Sequence, residues 1–497
     1  MCYDLWNHTN LKIIRITVQI FSLCLILLAC GEDPAIKRGK ELVRTGDTAA
    51  AIQQFESVIR QNSSDAEAYY QLGLAYEELK DATQATDAFK NAQRLAPQRP
   101  EIALALGRLH WHTGNRDLAI SQFQNLLSNS LNEDVRLQLA ALTGDAYHVQ
   151  RLRTEGSDDY EQTFTEKGNM MTFTAKYTDD YSPAISPDGK WLAFASNRLQ
   201  NAELYLMDLN TRSLRQLTHT DELDEYMPAF SPDGKSLAFV TERTRGGMML
   251  PPVQASGSDP SSASIYLMDV DGRNQRPVID IEGAHRAPVF SPDGKRIAFE
   301  SRAPTRENGS TPGDANNDDT LEIYIIQTDG TNQMQLTHNT VDDGHPTWAP
   351  DGRRIAFTSM VEDVYQIFVI SASGGTAKQL TFSNASHYQP TFSRDGKRII
   401  YISSVHNHYT LWMMNADGTN KTQLTSHVGA HFEPSLSGDG KTLVFSSDRS
   451  DHMRIYLMDL AQPIQEAELK ARLAGLKPHC ISLATAAVGA SFTRDFS

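Results

Sequence analysis

Ser186-Pro187-Asp188-Gly189-Lys190, standing between Tyr181-Ser-Pro-Ala-Ile and Trp191-Leu-Ala-Phe-Ala, returns five more times along the chain. Its counterparts are Ser231 to Lys235, Ser291 to Lys295, Ala349 to Arg353, Ser393 to Lys397 and Ser437 to Lys441, at intervals of 44 to 60 residues. Asp-Gly between alternating apolar runs closes a tight hairpin, because glycine accepts the positive φ that the turn requires. Each turn is preceded by a short strand opening on a proline: Pro183, Pro228, Pro288, Pro346, Pro390 and Pro434. An apolar strand follows each turn. A third run comes next, as in Leu204-Tyr-Leu-Met-Asp, Ile323-Tyr-Ile-Ile-Gln and Ile455-Tyr-Leu-Met-Asp. A fourth, typified by Gln216-Leu-Thr and Gln379-Leu-Thr, ends the unit.

Four antiparallel strands repeated radially make a propeller blade. First, second and third strands occur six times, but only five fourth strands follow them, since the sixth unit runs into a helical stretch, 462–476. Met171-Thr-Phe-Thr-Ala-Lys-Tyr-Thr178 has the character of the missing strand and precedes the first blade. The expectation is a six-bladed ring over 171–461, sealed by this N-terminal strand so that no sheet edge is left open. The units resemble the repeats of the TolB-type periplasmic propeller and its WD-like relatives. That resemblance implies a fold but no reaction, because related blades serve scaffolds, peptidase gates and lyases. TolB carries a different N-terminal domain, so a role in the Tol–Pal system does not transfer.

A second periodicity occupies 32–133. Gly39, Gly73 and Gly107 are 34 residues apart, as are Ala51, Ala85 and Ala119, and Phe55, Phe89 and Phe123. Small residues let antiparallel helices approach, the aromatics fill the space between them, and Pro97 stops a second helix. The segment resembles a tetratricopeptide array of three repeats, with 134–150 expected as a capping helix. The fold class is therefore α + β multidomain, an α-solenoid followed by a propeller. The resemblance implies a concave face that receives a peptide or helix; a spacer role is the alternative. His110 takes a place the pattern usually gives to Tyr and reads as a packed or surface imidazole.

Ahead of both repeats, Ile16 to Ala29 is a largely apolar run of 14 residues behind Lys12 and Arg15. It suits a signal segment and is short for a bilayer span. Leu27-Leu28-Ala29-Cys30 resembles the bacterial lipoprotein box, which implies cleavage before Cys30 and a lipid on its thiol. Gly31 by the same analogy favours the outer membrane. The expected divisions are 1–29 signal, 30–150 helical repeats, 151–170 linker, 171–461 propeller, and 462–497 C-terminal helix and tail. The tail carries no readable pattern.

Composition limits the partners. The 497 residues carry a formal charge of −15, from 46 Lys and Arg against 61 Asp and Glu. Such a balance argues against a nucleic-acid backbone as partner. The four cysteines, Cys2, Cys24, Cys30 and Cys480, are too few for a disulfide scaffold, and only Cys30 and Cys480 would remain after the cleavage that the lipoprotein-box resemblance implies.

Strand parity places the loops entering each first strand and those joining second to third strands on one face. The residue three before each blade proline is then expected at the channel mouth: Asp180, Glu225, His285, Asp343, His387 and His431. His345, Gln389 and Glu433 stand one residue before theirs, deeper in the channel. Three imidazoles among three carboxylates are one way to hold a divalent metal, with His285, His387 and His431 as ligands. The same ring suits a partner's side chain equally, and a hydrated mouth without function is the third reading. Two insertions, Thr244 to Ser264 and Pro304 to Thr320, fall on that face. Asp314-x-Asn316-x-Asp318 lacks the glycine and terminal glutamate of a calcium loop. Gly440-Lys441-Thr442 lies in a hairpin turn, and G-x-S-x-G and H-E-x-x-H do not occur.

The leading expectation is a lipid-anchored, non-catalytic envelope scaffold without cofactor, binding envelope proteins or peptides through the helical groove and the propeller mouth. The alternative is a metal-dependent lyase or hydrolase of an anionic polysaccharide, as the resemblance to oligogalacturonate lyases would imply. A propeller that only folds and spaces is the third.

Overall fold

A computed structural model describes residues 33–127, 131, 133–152, 164–167, 170–173, 178–199, 201–243, 263–279, 283–302, 320–405, 408–426, 428–450 and 452–476. The N-terminal segment with Cys30, expected from the sequence as a signal, nearly all of both insertions and the tail with Cys480 lie outside the described residues. The chain divides into two units, 1–119 and 120–497.

In the first unit helices begin where an aspartate can accept a free backbone N–H. Asp33 starts α1 (Pro34–Arg44), Asp47 starts α2 (Thr48–Gln61), Asp65 starts α3 (Ala66–Glu78) and Asp81 starts α4 (Ala82–Leu95). Each takes an N–H at 2.7 to 3.1 Å. In α5 (Pro100–His112) the proline at the first position does this work, since it has no N–H to satisfy. The glycines of the 34-residue period sit where helices touch: a β carbon on Gly39 or Gly73 would stand 2.3 or 2.5 Å from the ring of Phe55 or Phe89. His110 is buried in α5.

The second unit takes in the end of α6 (Arg116–Leu126), then α7 (Glu133–Thr143) and a strand, β1 (Tyr147–Arg151). A separate two-stranded hairpin joins β2 (Phe164–Lys167) to β3 (Met170–Phe173). Six four-stranded sheets follow. Blade 1 is β4 (Asp180–Ile185), β5 (Trp191–Leu199), β6 (Asn201–Asp208) and β7 (Leu214–Gln216). Blade 2 is β8 (Leu223–Phe230), β9 (Ser236–Arg243), β10 (Ser264–Asp269) and β11 (Arg276–Pro277). Blade 3 is β12 (Ala284–Phe290), β13 (Arg296–Arg302), β14 (Glu322–Gln327) and β15 (Met334–Gln335). Blade 4 is β16 (Asp343–Trp348), β17 (Arg354–Val361), β18 (Val364–Ser371) and β19 (Lys378–Gln379). Blade 5 is β20 (Ser386–Phe392), β21 (Arg398–Val405), β22 (His408–Asn415) and β23 (Thr422–Gln423). Blade 6 is β24 (His431–Leu436), β25 (Thr442–Ser447) and β26 (Arg454–Pro463), before α8 (Glu466–Gly475).

The repeated turn explains its own sequence. Gly189 has φ 73°, Ser186 donates to Asp188 at 2.7 Å, and the same carboxylate accepts the Lys190 N–H at 3.1 Å. Every second strand then drives one large ring into the core: Phe194, Phe239, Phe299, Phe357, Tyr401 and Phe445, all essentially inaccessible to solvent. Burying these rings, most of them against an aromatic on the third strand of the same blade, supplies the non-directional part of the stability.

The ring is closed by an N-terminal strand, but not by 171–178. The fourth strand of blade 6 is β1, antiparallel to β26 with Val149 opposite Met458 and Arg151 opposite Tyr456. Leu152 continues the ladder to the Ile455 carbonyl at 2.9 Å and is buried with Ile185, Leu192 and Phe194 of blade 1. Met170–Phe173 pairs instead with Phe164–Lys167. The expected capping helix 134–150 therefore stops at Thr143, and Tyr147–Arg151 belongs to the propeller. At the other end β26 runs to Pro463, so the helix begins at Glu466 rather than at 462.

Candidate functional site

Each first strand breaks register at its proline. The ladder skips from Tyr181 to Ala184, Tyr226 to Ala229, Arg286 to Val289, Gly344 to Thr347, Tyr388 to Thr391 and Phe432 to Ser435. The residue before the proline is the bulged one. Ser182, Met227, Ala287, His345, Gln389 and Glu433 all hold φ between 49° and 55°, the left-handed region that side chains normally avoid. Six equivalent strained residues mark a shape imposed by the ring, and all six line one central cavity of about 390 Å³.

That cavity is walled mainly by proline and aromatic surface. The six strand prolines, Phe230, Phe290, Trp348 and Phe392 line it, with Arg394 and Gly438 where the other four turns carry proline. Its polar groups gather on one side. Glu433 accepts the N–H and hydroxyl of Ser182, both at 2.5 Å, and the Ser446 hydroxyl at 2.9 Å. Gln389 accepts the Glu433 N–H at 2.7 Å. Burial pushes the Glu433 carboxyl above its ordinary range, against the pull of these donors and of nearby His345. The His345 N–H goes to Glu300 at 2.7 Å, while its Nε2 is buried without a partner among the described residues. A ligand entering here meets apolar walls and a few convergent polar atoms, the usual make-up of a recognition site.

The deeper trio expected from the sequence, His345, Gln389 and Glu433, thus lines the cavity. The other six do not stand at a mouth. Asp180, Glu225, His285, Asp343, His387 and His431 are 5% exposed or less, each opposite a hydroxyl residue on the second strand of its own blade. His285 contacts the Ser301 hydroxyl at 2.8 Å, His431 that of Ser447 at 2.9 Å, and His387 that of Ser383 at 2.8 Å. The ring of His285 lies edge-on to Phe299 at a centroid distance of 5.9 Å, that of His387 to Tyr401 at 5.3 Å and that of His431 to Phe445 at 5.5 Å. Burial pushes His387 down to about 3, assisted by the charge of Lys421. Among the described residues no three His, Cys, Asp or Glu side chains are placed to share a metal ion. Alternation along the strand accounts for the displacement: the position three before the proline points into the inter-blade packing, and the bulge turns only its successor's neighbour toward the axis.

Ser182, Met227 and Ala287 escaped the sequence reading although they share the phase of His345. The signal was present in the proline register, but a search for titratable groups passes over a Ser, a Met and an Ala. In the helical unit the charges are already paired: Lys40–Glu67 and Arg99–Glu67 at 2.7 Å and Arg108–Glu77 at 2.6 Å link successive first helices, and Arg99–Glu101 at 2.7 Å lies at the start of α5. Such half-exposed pairs add little stability, but a charged partner would have to compete with them.

Structure and repeats together define a class: a repeat protein in which a short helical array precedes a closed six-bladed propeller. Residues 175–261 and 258–412 match the TolB beta propeller domain model, and 36–100 and 81–134 match that of the tetratricopeptide repeat. The chain thus combines a TolB-type propeller with tetratricopeptide repeats. It is similar to the protein TolB homolog of Chlorobium chlorochromatii, 29% identical over 126 residues, covering 20% of this chain and 29% of that protein. An uncharacterized protein of Agrobacterium fabrum is 29% identical over 100 residues, again 20% of this chain and 29% of the relative. The chain spans less than a third of the length of the curated relatives it matches. Among solved structures, TolB from Acinetobacter baumannii is 23% identical with a TM-score of 0.43, over 64% of this chain and 72% of that one.

Proposed function

We propose that this chain is a non-catalytic interaction scaffold of the bacterial cell envelope. It would be held by a lipid on Cys30 at the outer membrane, facing the periplasm. The tetratricopeptide face takes one protein segment and the propeller cavity a second. The anchor and location rest on the apolar run ending in Leu27-Leu28-Ala29-Cys30, and the acidic charge of −15 speaks against nucleic acid. The observation that carries the reading is the cavity itself. Its walls are proline and aromatic, its polar atoms come from Ser182, His345, Gln389 and Glu433, and His285, His387 and His431 are buried in three separate blades, each against a serine.

Filling the cavity tests this. Ala287→Trp places a large ring in the axis without touching the seams between blades. The purified variant is expected to keep the wild-type melting temperature while losing cross-linking to an envelope partner through a photoreactive group at position 227. Undiminished cross-linking in the filled variant would refute the cavity as the docking point. The metal-dependent alternative has its own measurement: stoichiometric metal by elemental analysis, lost in a His285→Ala/His387→Ala/His431→Ala variant that remains folded, would displace the scaffold reading.

A further inference from the structure

The third strand of each blade presents one residue to the first strand of the next, and the six resulting pairs differ in chemistry. Ser264, Gln366 and Thr410 hold this place on blades 2, 4 and 5, in register with His285, His387 and His431 on the first strands that follow. In the closing seam Arg454 holds the equivalent place and Asp180 is paired with Arg198 at 2.9 Å. Two seams are unlike these. Between blades 1 and 2 Glu203 meets Glu225, and between blades 3 and 4 Glu322 meets Asp343. All four are 4% exposed or less.

The two acid pairs are built alike. Thr220 gives its N–H to Glu203 at 2.7 Å and its hydroxyl to Glu225 at 3.0 Å. Asn339 gives its N–H to Glu322 at 2.8 Å and its side-chain amide to Asp343 at 2.7 Å. One loop residue thus clamps two carboxyl groups together. In each pair one buried oxygen, Glu203 Oε2 or Asp343 Oδ1, has no donor among the described residues. The charged groups on the surrounding strands are committed elsewhere. Arg198 of β5 serves Asp180, Asp224 of β8 accepts the Ala202 N–H, and Glu242 of β9 is held by Arg286 of β12. Arg243 is exposed at the end of β9. Beside the second pair, Asp342 lies next to Arg302 of β13 at 3.6 Å and accepts the Leu321 N–H.

Two like charges cannot both be desolvated at one place without a large penalty, and an acceptor-only oxygen needs a donor. We infer that each of these seams holds one proton shared between its carboxyl groups, so that alkaline solution loosens blade 1 from blade 2 and blade 3 from blade 4. Burial first, then the neighbouring carboxylate, raises Glu225; burial pushes Glu322 up to about 7 and also raises Asp343. The seams matter to the cavity because Glu225 and Asp343 stand two residues before Met227 and His345. Loss of the proton would therefore disturb the two strands carrying those cavity residues.

Gln366 supplies the control, since it occupies the position of Glu203 and Glu322 in a seam that needs no proton. Thermal unfolding of the intact chain is followed from pH 6.5 to 9 beside a Glu203→Gln/Glu322→Gln variant. The wild-type midpoint is expected to fall across this range, and the variant's slope to be at least halved. A flat wild-type profile, or an unchanged slope in a folded variant, would overturn the proposal. Should the double variant not fold, Glu203→Gln is expected to remove most of the slope above pH 7 and Glu322→Gln the part near pH 7, and an unaltered slope in both overturns it. Infrared spectra of the wild type give a direct readout: a protonated-carboxyl band present at pH 7 and lost by pH 9 supports the shared proton, and no such band overturns it. The melts are repeated with calcium and with chelator. A calcium-dependent restoration of the midpoint at pH 9 would assign the pairs to a cation instead.

Discussion

Glu433 shows how much one side chain can carry. Its carboxylate satisfies an N–H and two hydroxyls from Ser182 and Ser446, across the seam that joins the last blade to the first. Glu433→Leu leaves three donors stranded, each costing about 1–3 kcal/mol when buried. The urea midpoint should fall by the equivalent of about 3 kcal/mol with an unchanged denaturant slope. Glu433→Gln, which keeps one acceptor oxygen, should lose less than half of that. Gly344 is constrained from the opposite direction: a β carbon there would stand 2.6 Å from Glu300 Oε2, the atom that accepts the His345 N–H. Gly344→Ala should therefore cost about 1–3 kcal/mol, as crowding a packed interior does, and should weaken ligand capture if His345 recognises the ligand.

At the scale of the element, β1 decides whether the sheet closes. Without it β26 would present an unpaired edge and Leu152 would leave a gap against Ile185 and Phe194. A chain beginning at residue 133 should purify as a monomer, whereas one beginning at 153 should associate or precipitate; size-exclusion chromatography after matched refolding distinguishes them. At this strand the sequence pattern and the structure part. The Asp-Gly turns and strand prolines made six blades legible, because their turn chemistry is local and repeats in phase. Tyr147-His-Val-Gln-Arg alternates over only five residues behind a helix, whereas 171–178 resembled the Gln-Leu-Thr strands in composition and stood nearer the first blade. Proximity along the chain says little here, since lengthening the connection before the first blade adds only slightly to closure entropy. The site was half legible for a related reason. His345, Gln389 and Glu433 follow from the proline phase, but the bulge that turns them inward depends on a ladder mismatch that no single residue announces.

For the whole molecule, groups buried in different seams set opposing pH dependences. His387 is neutral in the fold because burial pushes it down to about 3 from an ordinary 6.5. Between those values the unfolded chain binds the proton and the folded chain does not. Stability therefore falls as pH drops below 6.5, by about 1.4 kcal/mol for each pH unit. Glu322 has the reverse sign. With its carboxyl raised from 4.5 to about 7, the folded state retains a proton that the unfolded state has released, so stability declines as pH climbs from 4.5 to 7 and then levels. The Glu203–Glu225 pair extends that decline to higher pH. Between 4.5 and 6.5 the opposing slopes partly cancel, and the molten fraction should rise on either side. His387→Gln, which cannot be protonated, should flatten the acid limb of a urea-midpoint profile while leaving the alkaline limb intact. Persistence of the full acid limb in that variant would place its origin in the surface carboxylates of the hairpin turns, whose bonds to Ser186, Ser231 and their counterparts also hold them below the usual range.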